Sequence, residues 1–123
     1  MTPPPERLTT PEARACWYRV QSRLIARGKW EPLFESGLEL LASQCATYLR
    51  FARAIRALEN VEADELARME STLADMHRLA RRMLEGYLMI LPKRAPLALM
   101  NAEGLDADIV DLCRLPGPDE AQP

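Results

Sequence analysis

The stretch LARMESTLADMHRLARRMLEGYLMI, residues 66–90, decides how this chain folds. Within it Leu66, Met69, Leu73, Met76, Ala80, Met83, Tyr87 and Ile90 keep an unbroken 3-4-3-4-3-4-3 spacing. An ordinary core helix presents a broader apolar face. A stripe this narrow is a seam, along which two helices interlock their a and d positions. A second run, Leu38, Leu41, Cys45, Tyr48, Ala52 and Ile55, obeys the same rule. The polar link Glu59-Asn60-Val61-Glu62 joins the two runs, which together predict a long antiparallel helical hairpin in an all-α protein.

Proline placement draws the outline of that hairpin. Ten prolines flank the middle of the chain, and none falls between Leu33 and Leu91. Each proline inside a helix costs about 3 kcal/mol, so the gap marks uninterrupted helix. Upstream, Thr10-Pro11-Glu12 is a helix start: the threonine caps, the proline presets φ and the glutamate complements the dipole. This N-terminal helix is expected to run to about Arg27 and stop at Gly28, burying Ala13, Trp17, Val20 and Leu24. Residues 1–9 read as a disordered arm, 10–94 as the helical core, and 95–123 as an acidic C-terminal segment. Only about 80 to 90 residues can contribute to a core, which is marginal for a hairpin and one helix. Self-association relieves that shortage, and Leu66, Met69, Leu73, Met76, Met83, Tyr87 and Ile90 are its expected contacts.

Charge is polarised along the chain although the net value is only −2. Residues 1–30 carry six basic and two acidic side chains, whereas residues 95–123 carry one basic and six acidic. Different partners for the two ends follow from that asymmetry. Arginine outnumbers lysine fourteen to two, and its guanidinium makes bidentate bonds to phosphate. Arg7, Arg14, Arg19, Arg23, Arg27, Lys29, Arg50 and Arg53 are therefore the candidate DNA contacts, against the alternative of solvated helix faces. With no asparagine- or glutamine-rich recognition helix, such contacts would position DNA rather than read bases. In the acidic segment, Leu105, Ile109, Val110 and Leu112 suit docking in a partner's groove. The alternative there is a tail that folds back on its own hairpin.

Nothing in the residue inventory points to catalysis, a cofactor or a metal. His77 is the single histidine and reads as a surface residue beside Arg78, Arg81 and Arg82. Cys16, Cys45 and Cys113 have no metal-ligand spacing and read as reduced, structural thiols. The five glycines are scattered and form no phosphate-cradling loop. No signal core or membrane-spanning run is present, so a soluble intracellular protein is expected.

Leu8-Thr9-Thr10-Pro11-Glu12-Ala13, followed by Trp17, resembles the opening of the small terminase subunits of tailed bacteriophages and gene transfer agents. The likeness continues through Cys45-Ala46-Thr47-Tyr48, Arg50 and Ala54-Ile55, and closes at Leu88-Met89-Ile90-Leu91-Pro92-Lys93-Arg94. The usual glycine before that last signature is displaced to Gly86, and there is no room for a separate helix-turn-helix domain. The resemblance implies a ring-like oligomer acting as a DNA-packaging adaptor in the bacterial host cytoplasm. It also implies engagement of double-stranded DNA, here either by the first helix and arm or weak and nonspecific for want of that helix-turn-helix domain, and regulation of the large terminase ATPase-nuclease, onto which the acidic segment would dock. The alternatives are a helical regulatory or antitoxin-like binding protein acting as a dimer, and a purely structural coiled coil.

Overall fold

The computed structural model describes residues 1–88 and 100–117. Among them are four helices: α1 (Pro11–Ala26), α2 (Glu35–Ala57), α3 (Ala63–Leu88) and α4 (Ala107–Cys113). A single 3₁₀ turn, Pro32–Phe34, leads into α2. The protein is all-helical. α2 lies at its centre, packed most extensively on α3 and then on α1, and α4 fills the remaining side against α1 and α2.

Local chemistry sets the helix ends. Thr10 Oγ1 accepts the Ala13 amide at 3.2 Å and Pro11 occupies the first helical position, which is the start anticipated from sequence. α1 stops where Gly28 takes φ +67° and the Lys29 amide closes back onto the Leu24 carbonyl at 2.8 Å. A residue with a Cβ resists that left-handed conformation. α2 begins at Glu35, slightly later than expected, because Pro32 opens the 3₁₀ turn instead. Past its end Asn60 adopts φ +59°, a region asparagine tolerates better than most residues.

One continuous apolar cluster joins all four helices. From α1 it takes Ala13, Cys16, Trp17, Val20 and Leu24, and from α2 Leu38, Leu41, Cys45, Tyr48 and Ala52. α3 adds Ala80 and Leu84; α4 and its approach add Leu105, Ile109, Leu112 and Cys113. Each large apolar side chain removed from water contributes about 1.5–3 kcal/mol, so loss of α4 would strip a substantial share of the core.

The expected disordered arm is a packed strap. Pro4 and Leu8 are buried. The Trp17 indole N–H donates to the Thr2 carbonyl at 2.9 Å. Gln21 is fully buried, and its amide, oriented to satisfy both groups, accepts the Thr2 N–H at 3.0 Å and donates to the Thr2 carbonyl at 2.9 Å. Arg14 donates to the Leu8 carbonyl at 3.2 Å, and Arg7 pairs with Glu39 on α2. The physical reason is polar satisfaction: a buried indole and a buried amide need partners, and the arm's backbone supplies them.

Candidate functional site

The densest polar constellation among the described residues lies where α4 meets α2 and α3. Asp106 is fully buried, with no accessible surface. Its Oδ2 lies 2.7 Å from His77 Nε2, and both carboxylate oxygens lie 3.3 Å from Arg81 Nη1. Oδ1 also accepts the amides of Asp108 and Ile109, at 3.0 and 3.2 Å, and so caps α4. The Asp106 amide donates to the Tyr48 hydroxyl at 3.1 Å, while the Tyr48 ring packs on the His77 imidazole with centroids 5.0 Å apart. Arg81 itself is nearly buried and reaches Asp108 at 2.7 Å and Glu85 at 3.1 Å. Burial alone would push the Asp106 carboxyl pKa up. The His77 bond, the Ile109 amide and the Arg81 charge outweigh burial and hold it below the ordinary carboxylate range. Asp106 is thus an ionised, fully partnered latch between α3 and the α4 segment.

Sequence reasoning missed this latch and placed His77 at the surface. The signal available was that His77 and Arg81 stand at i and i+4 on one helix face, next to seam residues Met76 and Ala80. The second signal was Asp106 immediately before an apolar periodic run, the position of an N-cap. Their pairing spans 29 residues, a separation that periodicity does not report.

The three cysteines, far apart in sequence, meet in the core and are all free and buried. Contact of the Cys16 thiol with those of Cys113 and Cys45, together with burial, pushes its pKa well above the ordinary thiol range. Protonated thiols without solvent contact behave as small apolar groups. Among the described residues no group of three or more histidine, cysteine or acidic side chains is placed to hold a metal ion.

The candidate DNA arginines are distributed rather than gathered. Arg19 is committed to α4, donating to the Asp111 and Leu112 carbonyls at 3.1 and 2.9 Å and also to the Arg114 carbonyl. In this way α1 covers the orphan carbonyls that end α4. Arg23 pairs with Asp111 at 3.2 Å and Arg50 with Glu12 at 2.8 Å. Arg14 is tied to the arm, whereas Arg27, Lys29 and Arg53 are exposed. The Arg23–Asp111 pair is exposed on both sides, where an ion pair contributes about 0–1 kcal/mol, whereas Glu39 and Glu12 are largely covered beneath Arg7 and Arg50.

The candidate docking residues are corrected by their burial. Leu105, Ile109 and Leu112 lie in this chain's own core, and Val110 is half-buried against it. They are unavailable to a partner's groove, because α4 folds back and is pinned by Asp106 and Arg19. Along α3 the seam residues divide. Ala80 is buried; Leu73, Met76 and Met83 are half-buried against the core; Leu66 and Met69 are half-buried outside it. Leu84, one position off the stripe, is fully buried. The Tyr87 side chain and Ile90 lie outside the described residues, as does the Met89–Arg94 part of the terminase-like signature.

No helix among the described residues is long and apolar enough to cross a membrane. Comparison of the chain with protein-family models, with curated proteins and with solved structures finds no match.

Proposed function

We propose that this chain is a non-enzymatic helical adaptor that works as an assembly of its own copies, of the small-terminase kind. α2 and α3 form the antiparallel hairpin whose outer edge is shared between copies. The basic surface engages double-stranded DNA through phosphate contacts, and the assembly recruits and regulates a large ATPase-nuclease subunit during genome packaging. The observation that carries the assembly is the α3 stripe: Leu66 and Met69 are apolar, regularly spaced, partly accessible and outside the folded core. The packaging role itself draws on the likeness of Leu8–Ala13, Trp17 and Cys45–Tyr48 to small terminase subunits. Arg7, Arg27 and Lys29 are accessible cations placed to meet phosphate.

The antitoxin-like alternative draws its support from an acidic tail free to bind a partner. Burial of Leu105, Ile109 and Leu112 weighs equally against docking of this segment in a toxin or in a large subunit. Light scattering on the purified chain tests the assembly: a closed multi-copy particle is expected, and Met69→Glu should break it into smaller species of unchanged helix content. A wild-type monomer at micromolar concentration would overturn the reading. DNA affinity should fall steeply as salt rises, since counterion release dominates backbone contacts.

A further inference from the structure

A trough of about 680 Å³ runs between the second half of α2 and the C-terminal end of α4. Leu49, Val110 and Leu115 line its apolar floor, and Leu115 is 53% exposed. Arg50, Arg53 and Arg114 stand along it, Arg50 paired with Glu12 at 2.8 Å and Arg114 lying 3.9 Å from Asp111. Arg53 is exposed and pairs with no acidic group among the described residues. The trough is therefore an apolar recess with an excess of positive charge at its rim.

The complementary shape is present elsewhere on the same chain. Leu33, in the 3₁₀ turn ahead of α2, is 86% exposed, the most exposed large apolar side chain among the described residues. Glu31 and Glu35 flank it, and neither has an ion-pair partner among the described residues. A protruding leucine between two carboxylates matches a greasy recess edged by guanidinium groups in both apolarity and charge. The two features cannot meet within one molecule. Sixteen residues separate Leu33 from Leu49, about 24 Å along the α2 axis.

We propose that the Glu31–Glu35 turn of one copy seats Leu33 in the α2–α4 trough of a second copy, with its carboxylates facing Arg50 and Arg53. This deepens the assembly reading and rests on it. Because knob and recess lie on different parts of the surface, the contact is head-to-tail. Repeated, it closes into a ring or runs on as a filament, whereas a single self-complementary patch stops at a dimer. Other occupants fit less well. Residues 118–123, Pro-Asp-Glu-Ala-Gln-Pro, are acidic but contain no large apolar side chain to fill the floor. A phosphodiester backbone satisfies the arginines and leaves the floor wet.

Two single variants of the full chain, Leu33→Glu and Arg53→Glu, test the contact by sedimentation at micromolar concentration. Both positions are exposed, so helix content by circular dichroism should match wild type. Each variant alone should associate about thirtyfold or more weakly, as expected when an interface anchor is lost. Mixed together they should associate more tightly than either alone, through the Leu33 turn of the Arg53→Glu copy and the trough of the Leu33→Glu copy. If wild type assembles and both variants assemble equally well, the trough contact is wrong while the assembly stands. If wild type is monomeric, both fall. If Arg53→Glu lowers DNA affinity but leaves the mass unchanged, the trough arginines serve phosphate and the contact is overturned.

Discussion

His77 Nε2 and Asp106 Oδ2 stand 2.7 Å apart across 29 residues of sequence, joining the middle of α3 to the first turn of α4. Asp106 is charged and has no access to solvent, so its stability depends on every partner being in place. Removing one member of a buried ion pair strands the other and costs about 3–5 kcal/mol. Asp106→Asn should lower stability by that amount, measured from urea unfolding midpoints. His77→Phe keeps the ring against Tyr48 and loses only the hydrogen bond, so a smaller loss of about 1–3 kcal/mol is expected. Equal losses in the two variants would show that the His77 hydrogen bond carries the whole contribution of the carboxylate and that its contact with Arg81 adds nothing.

The same carboxylate gives the fold an acid-sensitive component. Its pKa in the folded chain lies below the ordinary value of 3.8. A group depressed on folding stabilises the native state above its unfolded pKa, and that stabilisation disappears as pH falls through the folded pKa. Wild type and Asp106→Asn should therefore differ most in unfolding midpoint above pH 3.8 and converge as the pH drops further. A gap that persists undiminished into strong acid would exclude ionisation of Asp106 as its source.

Truncation after Gly104 separates the structural role of the C-terminal segment from a docking role. It removes Leu105, Ile109, Leu112 and Cys113 from the core together with the Asp106 latch. The shortened chain should lose much of its cooperative thermal transition. In the full chain, Leu112→Ala should cost about 2–5 kcal/mol, the range for a leucine deleted from a packed site. A truncated chain that melts like wild type would mean that α1 to α3 suffice as a folding unit.

Cys16, Cys45 and Cys113 should resist alkylation while the protein is native. Their burial and, for Cys16, the raised pKa both suppress the reactive thiolate. Intact-mass measurement after iodoacetamide treatment should show no adduct in buffer and three in denaturant. Fast labelling of one thiol in buffer would reveal local opening around α4.

Much of the helical framework was legible because it rests on short-range rules. Thr10, Pro11 and Gly28 act through their own backbone or the next turn, and the α2 run from Leu38 to Ile55 is buried at all six positions. The α3 stripe was readable as a stripe but not in its depth. Leu66 and Met69 extend beyond what the rest of the chain covers, whereas Leu84, off the stripe, is buried by packing that no periodicity encodes. The arm was misjudged because three prolines and polar neighbours resemble linker composition, while the buried polar groups of Trp17 and Gln21 call for Thr2. The Asp106 site stayed hidden because its members come from three separate elements and only folding brings their charges together.

The bond from Arg19 to the end of α4 spans more than 90 residues. A ribosome that has delivered α1, α2 and α3 has thus produced an interior with one wall missing, since Leu105, Ile109 and Leu112 are still to come. The nascent polypeptide must wait with its oily side bare until α4 clears the exit tunnel. Any stalled or prematurely released product inherits that bare side, which makes it a substrate for chaperones and proteases.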